Sequence, residues 1–113
     1  MQVLAERATV RDLPATLVKV DQTAGRLLGD TLAVQIEEAL RGLQTGTLAL
    51  IAGVEGVVQI FACVHLLRQH GYVDVAVWDP YEKCYALLTE EGETTTPGDT
   101  IIREDEVRAF AAN

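Results

Sequence analysis

Hydrophobic and polar positions along the chain follow two different periods. Segment 30–43 repeats apolar residues three or four positions apart, as in a helix with one buried face, and Asp30 stands where it can cap the N-terminus. Segment 57–70 is apolar on nearly all sides and is followed by Gly71, a residue type that commonly ends a helix. Segment 72–78 alternates valines with other residues, which is the period of a strand. The pattern therefore predicts both helices and strands.

Short apolar runs complete the predicted order of elements. The run at 47–53 is continuously apolar, as expected of a central strand covered on both faces. The chain is predicted to form a strand at 15–20, a helix at 30–43, a strand at 47–53, a helix at 57–70 and strands at 72–78, 84–89 and 98–102, with weak helical character at 103–113. Strands that alternate with helices imply right-handed crossovers and a parallel sheet. We therefore predict an α/β fold: a small Rossmann-like sandwich with a mainly parallel sheet, helices on both faces and a C-terminal β-hairpin extension.

The chain of 113 residues is long enough for one hydrophobic core, and we expect a single domain over 1–113. No stretch approaches the roughly 18 uninterrupted apolar residues of a membrane span, and charges such as Glu6 and Arg7 interrupt the N-terminus where a secretory signal would be apolar. A cytoplasmic protein without a membrane partner is expected. Cys63 and Cys84 lie in apolar segments without CxxC spacing, which favours reduced thiols over a structural zinc site.

The formal net charge of −8 disfavours long nucleic acids as partners, because their binding depends on neutralising phosphates. The charge is uneven along the chain: between residues 82 and 106 there are eight acidic residues and two basic ones. The first 81 residues hold nine acidic and six basic residues, so their balance is only −3. A short anionic ligand on the N-terminal half is compatible with this distribution, whereas duplex DNA is not an expected partner.

Two strand ends are candidate sites, because ligands of open α/β sheets bind beyond the carboxyl ends of the strands. Gly53 and Gly56 lie between the second strand and its helix, where glycines permit either a close ligand or a tight turn. Asp79 follows the third strand, where it can ligate a metal, accept a proton or begin a turn with Pro80. His70 stands at a helix end, where an imidazole either serves a site or bonds the free carbonyls of the last turn. The residue types alone leave both interpretations open at each position.

Three stretches resemble a small CRISPR-associated family, the Csx-three proteins. They are HGYVD at 70–74, VAVWDP at 75–80 and PGDTII at 97–102, and the resemblance covers about residues 46–102. Members of that family are ring nucleases of type III CRISPR defence, within a superfamily of Rossmann-fold proteins. The resemblance implies manganese-dependent hydrolysis of cyclic tetra-adenylate, the second messenger of that defence, or of short RNA tails, by dimers that associate further.

The resemblance also implies a set of catalytic and metal-binding residues. By position, the family's helix-end His corresponds to His70, its turn Asp to Asp79, and its His on the next strand to Glu90. Together these three would form a nitrogen and oxygen ligand set that suits Mn²⁺. The metal would polarise a phosphodiester or activate water. His70, Asp79 and Glu90 are therefore the predicted catalytic and metal-binding residues.

The positions that correspond to the family's ligand-contacting turns differ in residue type. Val54 and Glu55 stand where the family has an Arg-containing GRGP turn. Tyr81 stands where an Arg follows Asp-Pro in the family, and Lys83 is the only nearby base. The predicted ligand-binding residues are Gly53, Val54, Glu55, Gly56, Tyr81 and Lys83.

Three functional hypotheses follow. The first is a metal-assisted ring nuclease or related phosphodiesterase that acts on cyclic tetra-adenylate or short single-stranded RNA. The second is a non-catalytic module of the same fold that binds a cyclic oligoadenylate or a protein partner, and the third is a structural homo-oligomer. A homodimer is expected for both nucleotide hypotheses, because a ring with rotational symmetry fits a site built across a two-fold axis. The predicted helix at 57–70 offers apolar surface for such an association.

Overall fold

A computed structural model describes residues 3–21, 29–43, 47–54, 56–88 and 101–109. Within these ranges the chain forms seven β-strands and two α-helices. In chain order they are β1 (Val3–Val10), β2 (Leu13–Val20), α1 (Gly29–Leu40), β3 (Leu48–Ala52), α2 (Val57–Gln69), β4 (Asp74–Asp79), β5 (Cys84–Leu88), β6 (Ile101–Arg103) and β7 (Val107–Ala109), with a 3₁₀ turn at Glu104–Glu106. The strands join one sheet in the order β6-β5-β4-β3-β2-β1-β7.

The three central strands, β2, β3 and β4, are parallel, and α1 and α2 connect them. Each connection advances the chain by one strand in the same direction, so two right-handed crossovers put both helices on the same face of the sheet. Leu32 and Ile36 of α1 and Cys63 and Leu67 of α2 are accordingly buried in one core. The prediction of helices on both faces is wrong, because hydrophobic periodicity does not encode the direction in which strands are added.

The opposite face of the sheet curves around a second core. Strands contribute its buried residues, among them Ala8, Leu17, Leu50, Ala76 and Tyr85. Four of the six strand pairings are antiparallel, and the sheet nearly closes into a barrel. The predicted Rossmann-like sandwich with a mainly parallel sheet is therefore wrong: the described residues form a mixed, barrel-like sheet with two helices on its outside.

Residues 101–109 bring the two edges of the sheet together. β6 pairs with β5 at one edge, and β7 pairs with β1 at the other. Arg11, in the turn between β1 and β2, donates hydrogen bonds to the carboxylate of Glu106 and, at 3.1 Å, to the carbonyl oxygen of Ile101. The hydrogen bond from Arg11, together with one from the backbone N–H of Arg103 and the two positive charges, lowers the pKa of Glu106 to about 2. The weak helical character predicted for this tail is limited in the described part to the 3₁₀ turn at Glu104–Glu106, because pairing with β1 makes residues 107–109 a strand.

The other predicted elements are confirmed with shifted ends, and two strands, β1 and β7, were not predicted. The helices and the strands at 15–20, 47–53, 72–78 and 84–89 correspond to α1, α2, β2, β3, β4 and β5. The strand expected at 98–102 is described only from residue 101. Tyr72 is buried and donates a hydrogen bond to the Thr16 hydroxyl at 2.9 Å. Neither α1 nor α2, the helices of the described ranges, has the length and apolar character of a membrane span.

Candidate functional site

A groove opens beside the N-terminus of α2, at the carboxyl end of β4. Its volume is about 730 Å³. Val57, Ile60 and Phe61 of α2 contribute one wall, and the end of β4, the turn after it and β5 contribute the other, including Asp79 and Tyr81. We call this the strand-end groove. Its volume lies in the range of roughly 300–1,000 Å³ that is typical of small-molecule sites.

Two glycines that were predicted to bind a ligand, Gly53 and Gly56, lie in the connection from β3 to α2. The backbone structure explains why glycine stands at each position. Gly53 has a φ of 88°, and a Cβ there would clash with the carbonyl oxygen of Val20. Gly56 has a φ of 90° and is the N-cap residue of α2, so no side chain caps the helix there. Gly53 therefore permits the close approach of β2, whereas Gly56 and Val54 line the strand-end groove. Glu55 lies outside the described residues.

Asp79 ends β4 and organises the four-residue turn that leads into β5. Its Oδ1 accepts hydrogen bonds from the backbone N–H groups of Tyr81 at 2.8 Å and Glu82 at 3.3 Å. Its carbonyl oxygen accepts a third hydrogen bond from the backbone N–H of Lys83 at 2.8 Å. The turn-forming role suggested by the Asp-Pro pair is present, and the same side chain lines the strand-end groove.

His70 lies far from Asp79 within one chain. It follows the last turn of α2, where its backbone N–H donates to two carbonyl oxygens of that turn. Since α2 runs back from the carboxyl end of β3 to the amino end of β4, His70 and Asp79 lie at opposite ends of β4. The length of β4 is about 17 Å at roughly 3.3 Å per residue, which is too far for two ligands of one ion.

The residues predicted to hold Mn²⁺ therefore do not fit one ion within the described part of a single chain. Glu90, the third predicted ligand, lies outside the described residues. Across residues 3–21, 29–43, 47–54, 56–88 and 101–109, no group of three or more His, Cys, Asp or Glu side chains could hold a metal.

The remaining predicted ligand residues divide between two concavities. Tyr81 lines the strand-end groove and is 93% exposed. Lys83 instead lines a more open concavity of about 840 Å³, together with Cys84 and Arg103. Asp79 is the one formally charged residue among the described residues that line the strand-end groove. The groove is thus apolar and aromatic, with a single carboxylate.

Sequence reasoning missed the wall that α2 contributes. Phe61 lines the groove and is 65% exposed, and Val57 beside it is also exposed. The signal was present, because the segment 57–70 is apolar nearly all round, whereas a helix that packs one face onto a sheet needs only one apolar face.

Comparison of the chain with protein-family models, with curated proteins and with solved structures finds no match.

Proposed function

We propose that the chain binds a cyclic oligoadenylate, or the end of a short single-stranded RNA, in the strand-end groove without cleaving it. The observation that carries this proposal is a pair of exposed aromatic side chains on the two walls, Phe61 from α2 and Tyr81 from the turn after β4. Proteins hold the bases of single strands by stacking them on such side chains. The resemblance of residues 46–102 to the Csx-three proteins supplies the ligand class.

Binding is favoured over cleavage by the positions of the predicted catalytic residues. His70 and Asp79 lie at opposite ends of β4, and Oδ1 of Asp79 already accepts two backbone hydrogen bonds. Tyr81 also stands where the family has an Arg, a side chain suited to stabilising phosphate charge. The manganese-dependent ring nuclease activity stays a prediction from the resemblance.

Calorimetric titration with cyclic tetra-adenylate tests the proposed binding. Wild-type protein is expected to bind, and Phe61→Ser is expected to weaken binding about 10- to 100-fold, because a stacked base contributes roughly 1–3 kcal/mol. Val34→Ser is a matched control, since Val34 is an exposed apolar residue on α1, outside the groove. No binding by the wild type would contradict the proposed function, and equal weakening by both variants would contradict the proposed site.

A second measurement separates the three functional hypotheses. The protein is incubated with cyclic tetra-adenylate and Mn²⁺, and the products are resolved by chromatography. The proposal predicts intact ligand that co-elutes with the protein. Linear products would establish the enzyme instead. Free intact ligand would contradict both nucleotide hypotheses and leave the protein-binding module or the structural homo-oligomer.

A further inference from the structure

We infer that the strand-end groove takes the amino-bearing base of its ligand and leaves the phosphates in solvent, with Asp79 selecting the amino group. The inference rests on the proposed function, because it names the part of the nucleotide that enters the groove. Its basis is the charge of the groove, the hydrogen bonds of Asp79 and the two aromatic walls.

The charge of the groove opposes a phosphate. Among the described residues that line it, Asp79 carries the one formal charge, and that charge is negative. Lys83, the predicted nearby base, lines the other concavity. A phosphate inside the strand-end groove would therefore meet a carboxylate, with no neutralising cation among the described lining residues, in a chain whose net charge is already −8. An uncharged ring has no such cost.

The turn uses one oxygen of the Asp79 carboxylate and leaves the other able to accept a hydrogen bond from a ligand. Both hydrogen bonds that it receives from the turn end at Oδ1. A carboxylate only accepts, and its two oxygens together offer about four lone-pair sites. Oδ2 therefore keeps its capacity for an N–H donor, on a side chain that lines the groove. Because the turn fixes Oδ1, the carboxylate is held in place before a ligand arrives.

An adenine base fits these surroundings. Its flat ring can stack on Phe61 or Tyr81, which both line the groove, and its exocyclic amino group can donate to Oδ2 of Asp79, for which the described residues supply no donor. Hypoxanthine carries a carbonyl oxygen at the same position. That oxygen would face the carboxylate acceptor to acceptor. The nearest donor of hypoxanthine, N1–H, lies one ring position away, so Oδ2 would receive no hydrogen bond in the orientation that adenine takes, which weakens binding.

Calorimetric titration of the wild-type protein with adenosine, inosine and inorganic phosphate tests the inference. Inosine differs from adenosine only in bearing hypoxanthine instead of adenine. Adenosine is expected to bind at least about tenfold more tightly than inosine, as follows from one hydrogen bond to a charged group. Inorganic phosphate, at constant ionic strength, is expected neither to bind in the groove nor to displace adenosine. Equal affinity for the two nucleosides, or displacement of adenosine by phosphate, would overturn the inference.

The variant Asp79→Asn separates selection of the ligand from formation of the turn. Its Oδ1 can still accept the two backbone hydrogen bonds, which directs the amide N–H₂ toward the position of Oδ2. The preference is expected to invert, so that inosine binds more tightly than adenosine. An equal loss for both nucleosides would assign Asp79 to the turn alone and overturn its selecting role.

The failures of the inference and of the proposed function are distinguishable. Binding of cyclic tetra-adenylate with no preference for adenosine over inosine would retain the proposed function and overturn the inference. Lack of cyclic tetra-adenylate binding would overturn the proposed function whichever nucleoside binds. The wild-type comparison of adenosine with inosine needs no variant, so it holds even if Asp79→Asn fails to fold.

Discussion

The two helices pack on the same face of the sheet, but the surfaces that they expose to solvent differ in chemical character. Their inner sides are alike, with Leu32 and Ile36 of α1 and Leu67 of α2 buried in one core. The outer side of α1 carries exposed Glu37 and Glu38, whereas α2 has no acidic residue and exposes a cluster of apolar side chains. That cluster consists of Val57, Val58 and Phe61. Packing on the sheet accounts for the inner faces only, whereas the proposed ligand or a second copy would account for the apolar outer face of α2.

Truncation of buried side chains tests whether the inner faces are equivalent. Ile36 and Leu67 are both 0% exposed. Ile36→Ala and Leu67→Ala should each lower the free energy of unfolding by about 2–5 kcal/mol, because each removes buried apolar surface and leaves a cavity. Urea titrations followed by circular dichroism give the midpoints and slopes. A loss of less than about 1 kcal/mol in either variant would show that its helix is not held by the core.

Charge introduced on the outer faces tests whether the apolar surface of α2 joins two copies. Val58 is 77% exposed and does not line the groove among the described residues, so Val58→Asp leaves the proposed ligand contacts in place. A homodimer with this face in contact should dissociate about 10- to 100-fold more readily, since a two-fold axis introduces the charge twice. An Asp in the first turn of a helix is itself favourable, so loss of the dimer would not reflect loss of α2.

The control for this prediction is Val34→Asp, which places the same charge on the exposed outer side of α1. Sedimentation velocity over a range of micromolar concentrations measures the self-association of all three proteins. A wild type that is monomeric at every concentration, with and without cyclic tetra-adenylate, would show the homodimer prediction to be wrong. Equal dissociation of both variants would show that the dimer contact does not lie on the apolar surface of α2.

The central elements could be predicted from the sequence because their periods are regular and local. The sheet around them could not. β1 and β2 are joined by a two-residue turn, Arg11 and Asp12, with φ values of 50° and 66°. Such turns usually contain Asn or Gly, so the sequence offered no hairpin signal there. β7 has three residues, Val107–Ala109, too few for a period, and it forms by pairing with a strand about a hundred positions away.

The candidate site could be predicted in part. The rule that ligands bind at the carboxyl ends of strands identified Gly56 and Asp79, and the resemblance to the Csx-three proteins added Val54 and Tyr81. All four line the strand-end groove. The same topology argues against His70, because a helix that follows a strand returns the chain to the sheet's opposite end. The aromatic wall was missed because Phe61 lies within an apolar helix, where sequence alone does not separate exposed from buried positions.

The smallest expected effect is a dependence of stability on pH. It arises from an ionisable group that is buried on the inner face of α2. Cys63 is buried in the core beneath α2, whereas the buried positions of α1 are Leu32, Ile36 and Leu40. Burial raises the pKa of the Cys63 thiol from 9.0 to about 11. The folded state therefore keeps its proton above pH 9, where the unfolded state loses it, and stability must fall as the pH rises from 9 toward 11.

Stability measured at pH 8 and pH 10 tests this difference between the two inner faces. The free energy of unfolding of the wild type should fall by roughly 1 kcal/mol more than that of Cys63→Ala over this interval, since the variant lacks the buried thiol. Cys84 is present in both proteins, so its titration cancels in the comparison. Urea unfolding at the two pH values supplies the numbers. Parallel losses in wild type and variant would mean that the thiol reaches solvent, contrary to the burial of Cys63 beneath α2.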